Sequence, residues 1–145
     1  QILQQAVAAN IPVLGICFGH QLLCKALGGE VERGAQKHTS VSPLFSVGMD
    51  TLLSPIRKGL FTHQDHVTKL PPGARRILSS KHCENAGMRI AGKPVWGVQF
   101  HPEASRTVID QAHADGDMND AELAAFEQEH DGDDLLAAFA KLCTP

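Results

Sequence analysis

No apolar run in this sequence approaches the ~20 residues that a bilayer-spanning helix needs, and there is no lysine- and arginine-rich cluster, no Cys-x-x-Cys pair and no internal repeat. Each absence removes a class of function. A net charge of −3 without a basic patch leaves no electrostatic footprint for nucleic acid or an anionic membrane, so neither is expected as a partner. The opening residues lack the charged-then-apolar pattern of a secretory leader, and the expectation is a soluble, cytoplasmic protein. The four cysteines, Cys17, Cys24, Cys83 and Cys143, stand at no metal-like spacing with histidine and suit a reducing compartment. Cys24 follows Cys17 by about two helical turns, roughly 10 Å along an axis, which is out of disulfide range. His63 and His66 have no cysteine or carboxylate cluster at ligand spacing, so no metal and no cofactor are expected.

What is present is an ordinary globular composition, 43% apolar and 20% charged over 145 residues. That suits one domain burying roughly two thirds of its unfolded surface. Ile2, Leu3, Ala6 and Val7 recur at helical spacing and predict a helix over residues 1–9, closed by Asn10. It has no capping residue before it, and a crossover helix feeding a parallel strand should itself follow one; the chain therefore reads as N-terminally incomplete. Glu30 to Arg33 predicts a short strand, residues 34–43 are polar and uncertain, and Leu44 to Val47 is a weak strand. Asp50 to Leu53 suggests one helical turn before Pro55. Arg75 to Ser80, Gly87 to Ala91 and Pro94 to Phe100 predict three further strands, the last apolar enough to be central. Arg106 to Ala114 and Ala121 to Leu142 are helical by pattern, forming a tail over residues 106–145. The acidic link between them carries Asp120 where a calcium loop needs glycine and Phe126 where it needs glutamate, which argues against calcium.

One stretch organises the rest. Pro12 to Ile16 has strand character, and helical periodicity begins immediately after Cys17 with Leu22, Leu23, Ala26 and Leu27. Cys17 is thereby placed on a sharp strand-to-helix turn, a nucleophile elbow. Gly15 and Gly19 are expected because strand and helix approach too closely for a Cβ at either position. At a helix N-terminus, free N–H groups and the positive end of the dipole favour a thiolate. The N–H of Phe18 points to where the oxyanion of a tetrahedral intermediate would form, and Gln21, one turn on, can lean back over the site. His101 leaves the C-terminal edge of the last strand, with Glu103 two residues later on the same side. A thiol nucleophile needs such a base, and the base needs an orienting group.

At this point the sequence resembles a known family. Gly15-Ile-Cys-Phe-Gly-His-Gln21 is similar to the nucleophile motif of the class I (triad) glutamine amidotransferases, and Gly97-Val-Gln-Phe-His-Pro-Glu103 to their second signature. The resemblance runs from about residue 11 to about residue 105; the tail matches nothing specific. It implies an α/β, three-layer, flavodoxin-like fold with a mainly parallel central sheet and flanking helices, its N-terminal strands absent from this chain. A Gly-rich loop in that region supplies a second oxyanion N–H in the family. The resemblance further implies Cys17, His101 and Glu103 as catalytic residues and Phe18 as an oxyanion donor. Gln21, Gln64 and Asp65 become substrate contacts, the latter two from the segment Phe61-Thr-His-Gln-Asp-His-Val67. Glutamine is the implied substrate, hydrolysed through a cysteinyl thioester to glutamate and ammonia, and a synthetase domain or a separate synthetase chain is the implied ammonia acceptor. A stand-alone γ-glutamyl amide hydrolase of the same fold remains an alternative, as does a non-catalytic binding module.

Overall fold

The computed structural model describes residues 1–144. In chain order the elements are α1 (Ile2–Ala8), β1 (Val13–Ile16), α2 (Phe18–Ala26), β2 (Glu30–Pro43), β3 (Phe45–Ser46), β4 (Lys58–Lys69), β5 (Ala74–Ser79), β6 (Gly87–Ile90), β7 (Val95–Val98), α3 (Arg106–Ala114), α4 (Asp120–Ala125) and α5 (Gly132–Cys143). Five strands form one sheet in the order β1-β7-β6-β5-β3, and β2 pairs with β4 in a separate antiparallel ribbon. Within the five-stranded sheet β1 and β7 run parallel, whereas β7·β6, β6·β5 and β5·β3 are antiparallel.

Alternation of side chains along the strands builds the layers. On one face Leu14, Ile16, Trp96 and Val98 join Ala138 and Phe139 of α5. On the other, Val13 and Val95 pack with Leu23 and Cys24 of α2 and with Leu3 and Val7 of α1. Both faces of the β1·β7 pair are covered by helices, which is why its residues form near-continuous apolar runs. Asp50 holds the turn after β3: its buried carboxylate accepts the N–H groups of Leu52 and Leu53, the Trp96 indole N–H, and a charged hydrogen bond from Arg89 at 2.9 Å. Four donors on one carboxylate satisfy a charge that could not otherwise be buried.

Two elements depart from expectation. The polar stretch 34–43 continues the strand begun at Glu30, with register shifts between Arg33 and His38. No residue of β2 is fully buried, so its strand character carries no hydrophobic alternation; the pairing with β4 determines it. The helix over 121–142 is interrupted after Ala125 and resumes at Gly132. Long-range contacts override the local pattern there: the Asp131 carboxylate accepts the backbone N–H groups of Arg57 and Lys58, and His130 bonds the Ala104 carbonyl at 2.8 Å. A Cβ at Gly132 would collide with the backbone of Pro102. Cys24 and Cys83 are buried, but Cys143 is exposed.

Candidate active site

β1 ends at Ile16 and α2 begins at Phe18, leaving a single residue to reverse the chain. That residue, Cys17, has φ 49° and ψ −103°, a region β-carbon-bearing residues rarely occupy. The strained turn presents the sulfur at the tip of the sheet. A Cβ at Gly15 would lie 2.8 Å from the Gly19 carbonyl oxygen, so the close approach of strand and helix demands glycine there. At Gly19 an added Cβ would meet nothing within 4 Å, contrary to the expectation that both positions are crowded. Phe18 opens α2, so its N–H has no intrahelical acceptor and stays free beside Cys17.

β7 lies beside β1 in register, Gly15 against Gly97 and Ile16 against Val98, and its exit carries His101 to the same edge. The His101 backbone N–H bonds the Leu60 carbonyl at 2.7 Å, tying this exit to β4. The imidazole lies beside Cys17 and is bonded to Glu103 Oε1, 2.5 Å from Nδ1. Those two neighbours, Cys17 first and Glu103 second, push the pKa of the imidazole up to about 10. Burial disfavours the ionised Glu103, but the His101 hydrogen bond and charge outweigh it and hold the carboxyl below its usual range.

The other predicted residues gather where α2 meets β4. Gln21 is buried and donates to the Asp65 carbonyl at 2.8 Å and to Gln99 Oε1 at 3.2 Å. Gln64 donates to the Gly34 carbonyl and accepts from Arg33, whose guanidinium also lies 3.8 Å from the Asp65 carboxylate. Gln21, Gln64 and Asp65 are thereby linked through one short segment of β4, whose Thr62 carbonyl lies 4.0 Å from Cys17 Sγ.

Gln99 is a site residue that the motif roles do not single out. Fully buried, it donates to Cys17 Sγ at 3.5 Å while accepting from Gln21. Its signal in the sequence is a lone amide inside the apolar run Pro94 to Phe100, since a buried amide requires partners. His20, on α2 just past the elbow, is bonded to the Asn85 carbonyl at 3.1 Å; burial lowers its pKa to about 4. Gly97 leaves the room for that ring, because a Cβ there would strike it. The pKa of His63, next to Thr62 on β4, is likewise lowered by burial despite its bond to the Asp65 carbonyl.

Residues 1–120 match the family described as glutamine amidotransferase class-I. The chain is 34% identical to the glutamine-hydrolyzing GMP synthase subunit of Pyrococcus abyssi over 99% of its own length, and 33% identical to that of Pyrococcus furiosus. It spans 66% of the length of each of these relatives. A glutamine amidotransferase from Thermotoga maritima superposes with a TM-score of 0.78 at 25% identity, over 99% of this chain and 66% of that one. A glutamine amido transferase from Methylobacillus flagellatus gives 0.70 at 27% identity, over 80% and 48%. With the elbow, the β1·β7 edge and both signatures in place, the chain belongs to the class-I glutamine amidotransferase family.

Proposed function

We propose that this protein hydrolyses the side-chain amide of glutamine and delivers the ammonia to a synthetase partner or domain. The single observation that carries the reading is the meeting of Cys17 with the His101–Glu103 pair at the shared edge of β1 and β7, Glu103 Oε1 lying 2.5 Å from His101 Nδ1. Cys17 Sγ attacks the amide carbon, and the N–H of Phe18 receives the developing oxyanion. An imidazole that stays protonated beside the sulfur can give its proton to the departing nitrogen, which leaves as ammonia. Water then attacks the thioester, His101 takes the proton, and glutamate is released with the thiol restored. Glu103 keeps His101 in the tautomer and orientation that both steps need. Gln21 contacts the substrate, and Gln64 and Asp65 border its α-amino and α-carboxylate groups. The kinship with the GMP synthase relatives supports a separate synthetase partner, since those relatives are named as subunits.

The test is labelling with a glutamine-mimicking electrophile followed by mass mapping. Modification at Cys17, with Cys17→Ser lowering glutamine hydrolysis by on the order of 10⁴-fold or more while glutamine still binds, is the expected result. Preferential labelling of Cys83 or Cys143, or near-normal turnover in the variant, overturns the assignment.

A further inference from the structure

The pattern of residues 121–142 favours one unbroken helix, yet the chain gives up that helix after Ala125 and resumes it only at Gly132. A break against local preference is characteristic of functional or strained sites. Here it delivers three consecutive residues to the turn that carries Glu103. The His130 ring is half buried; its Nε2–H donates to the Ala104 carbonyl at 2.8 Å, and its Nδ1 accepts the Gly132 N–H at 3.1 Å. A carbonyl only accepts and an amide N–H only donates, so the two partners fix the neutral Nε2–H tautomer. Asp131 reaches the start of β4, its N–H donating to the Lys58 carbonyl at 3.1 Å and its carboxylate accepting the N–H groups of Arg57 and Lys58. At Gly132 a Cβ would collide with Pro102. One short segment thus joins the turn after His101, the start of β4 and the start of α5.

Glu103 depends on its backbone for its position. Its side chain is half exposed, and among the described residues His101 is the one side chain that hydrogen-bonds its carboxylate. With no second side-chain donor to orient it, the carboxylate sits where the turn puts it. That turn is closed by the Ala104 N–H on the His101 carbonyl at 3.3 Å and by the Ser105 N–H on the Glu103 carbonyl at 2.9 Å. Its entrance is tied to β4 by the His101 N–H on the Leu60 carbonyl at 2.7 Å, and its exit is tied by His130 to the carbonyl one residue past Glu103. Both ties lead to β4, the first directly and the second through Asp131, and β4 also brings the Thr62 carbonyl to 4.0 Å from Cys17 Sγ. Nucleophile and orienting carboxylate are therefore held against the same strand.

We propose that His130 is a positioning residue for the triad: it fixes the exit of the 101–105 turn and, through it, the Glu103 carboxylate against the His101 imidazole. The inference rests on the triad reading above and adds a residue that lies outside both sequence signatures. A misplacement of about 1 Å in a group that supports the chemistry can cost up to ~100-fold in rate, so loosening this turn acts on turnover and not on substrate binding.

The test measures glutamine hydrolysis by the full-length protein with substitutions at His130, alone and combined with Glu103→Gln. His130→Ala lowers kcat roughly 10-fold with KM within about two-fold. A glutamine side chain places an amide N–H where Nε2–H stands, and an asparagine places an oxygen where Nδ1 stands. His130→Gln keeps the bond to Ala104 and recovers kcat to within about three-fold of the unsubstituted protein, whereas His130→Asn keeps only the bond to Gly132 and falls with His130→Ala. This pair, matched in polarity, decides the question if His130→Ala fails to fold. In Glu103→Gln the carboxylate is already gone, and adding His130→Ala costs less than about two-fold, because a residue acting through Glu103 has nothing left to act on. Equal turnover in His130→Asn and His130→Gln overturns the inference, as does an undiminished loss when His130→Ala is added to Glu103→Gln; either result leaves the glutaminase reading intact. The proton resonance of His101 Nδ1–H gives a readout independent of turnover. It shifts in His130→Ala and His130→Asn and keeps its position in His130→Gln. A line unmoved in all three overturns the positioning role whether or not glutamine is cleaved, while an unsubstituted protein that neither hydrolyses glutamine nor is labelled at Cys17 overturns the glutaminase reading.

Discussion

Gln99 shows how much one side chain near the sulfur can decide. Its amide N–H points at Cys17 while its oxygen receives Gln21, so it ties the elbow to the residue that holds Asp65. Gln99→Leu keeps the approximate volume but leaves Gln21 and Cys17 without this partner. A hydrogen bond to a charged group contributes about 1.5–3 kcal/mol, so kcat for glutamine should fall roughly 10–100-fold with KM little changed. Steady-state kinetics decide it; an effect confined to KM would make Gln99 a substrate contact. At Glu103 the expected loss in Glu103→Gln is smaller than in His101→Ala, because the first disturbs the orientation of the imidazole and the second removes the proton carrier. Equal losses would count against the supporting role of Glu103.

At the scale of elements, the turn around Asp50 connects β3 to the β6·β7 pair through Arg89 and Trp96. The Arg89 guanidinium also lies over the Trp96 ring, 5.0 Å from its centroid. Asp50→Ala strips the acceptor from four donors, two of them backbone, and should destabilise the fold by about 3–5 kcal/mol. Chemical denaturation would read this as a lowered midpoint without a change in slope. The reversal at Cys17 is an element-scale device as well: one residue with positive φ joins strand to helix where Gly15 and the Gly19 backbone approach too closely for a Cβ at Gly15.

For the whole molecule, two buried imidazoles, His20 and His63, and the half-buried His82 set the acid limit of stability. Burial lowers the pKa values of His20 and His82 to about 4 and lowers that of His63 as well; the neighbouring histidines His38 and His63 add to the shift of His82. Between pH 6.5 and about 4 the unfolded chain binds more protons at these sites than the folded one, so stability rises with pH across that window. It is complete above about 6.5 and is lost as pH falls towards 4. His101 acts with the opposite sign, its contribution present below about 6.5 and lost as pH rises through 10. Denaturation midpoints at pH 7 and pH 5 should therefore differ, with the lower value at pH 5; equal midpoints would mean the rings are hydrated in the folded state. No helix among the described residues is long and apolar enough to cross a membrane.

What is legible in the sequence is what depends on near neighbours. The strand, the glycine and the helical spacing around Cys17 set an elbow by local pattern alone, and the His101–Glu103 pair sits at a strand exit because the apolar run ends there. Tertiary structure alone decided the rest. The polar strand 34–43 exists because β4 supplies its hydrogen bonds, and the helix break before Gly132 exists because Asp131 and His130 bond to residues far away in the chain. The same holds for Gln99 on the sulfur and for His130 on the Glu103 turn, each contact made by segments that meet only in three dimensions. Local pattern reports the conformational preference of a segment; which buried polar groups find partners depends on how distant segments pack.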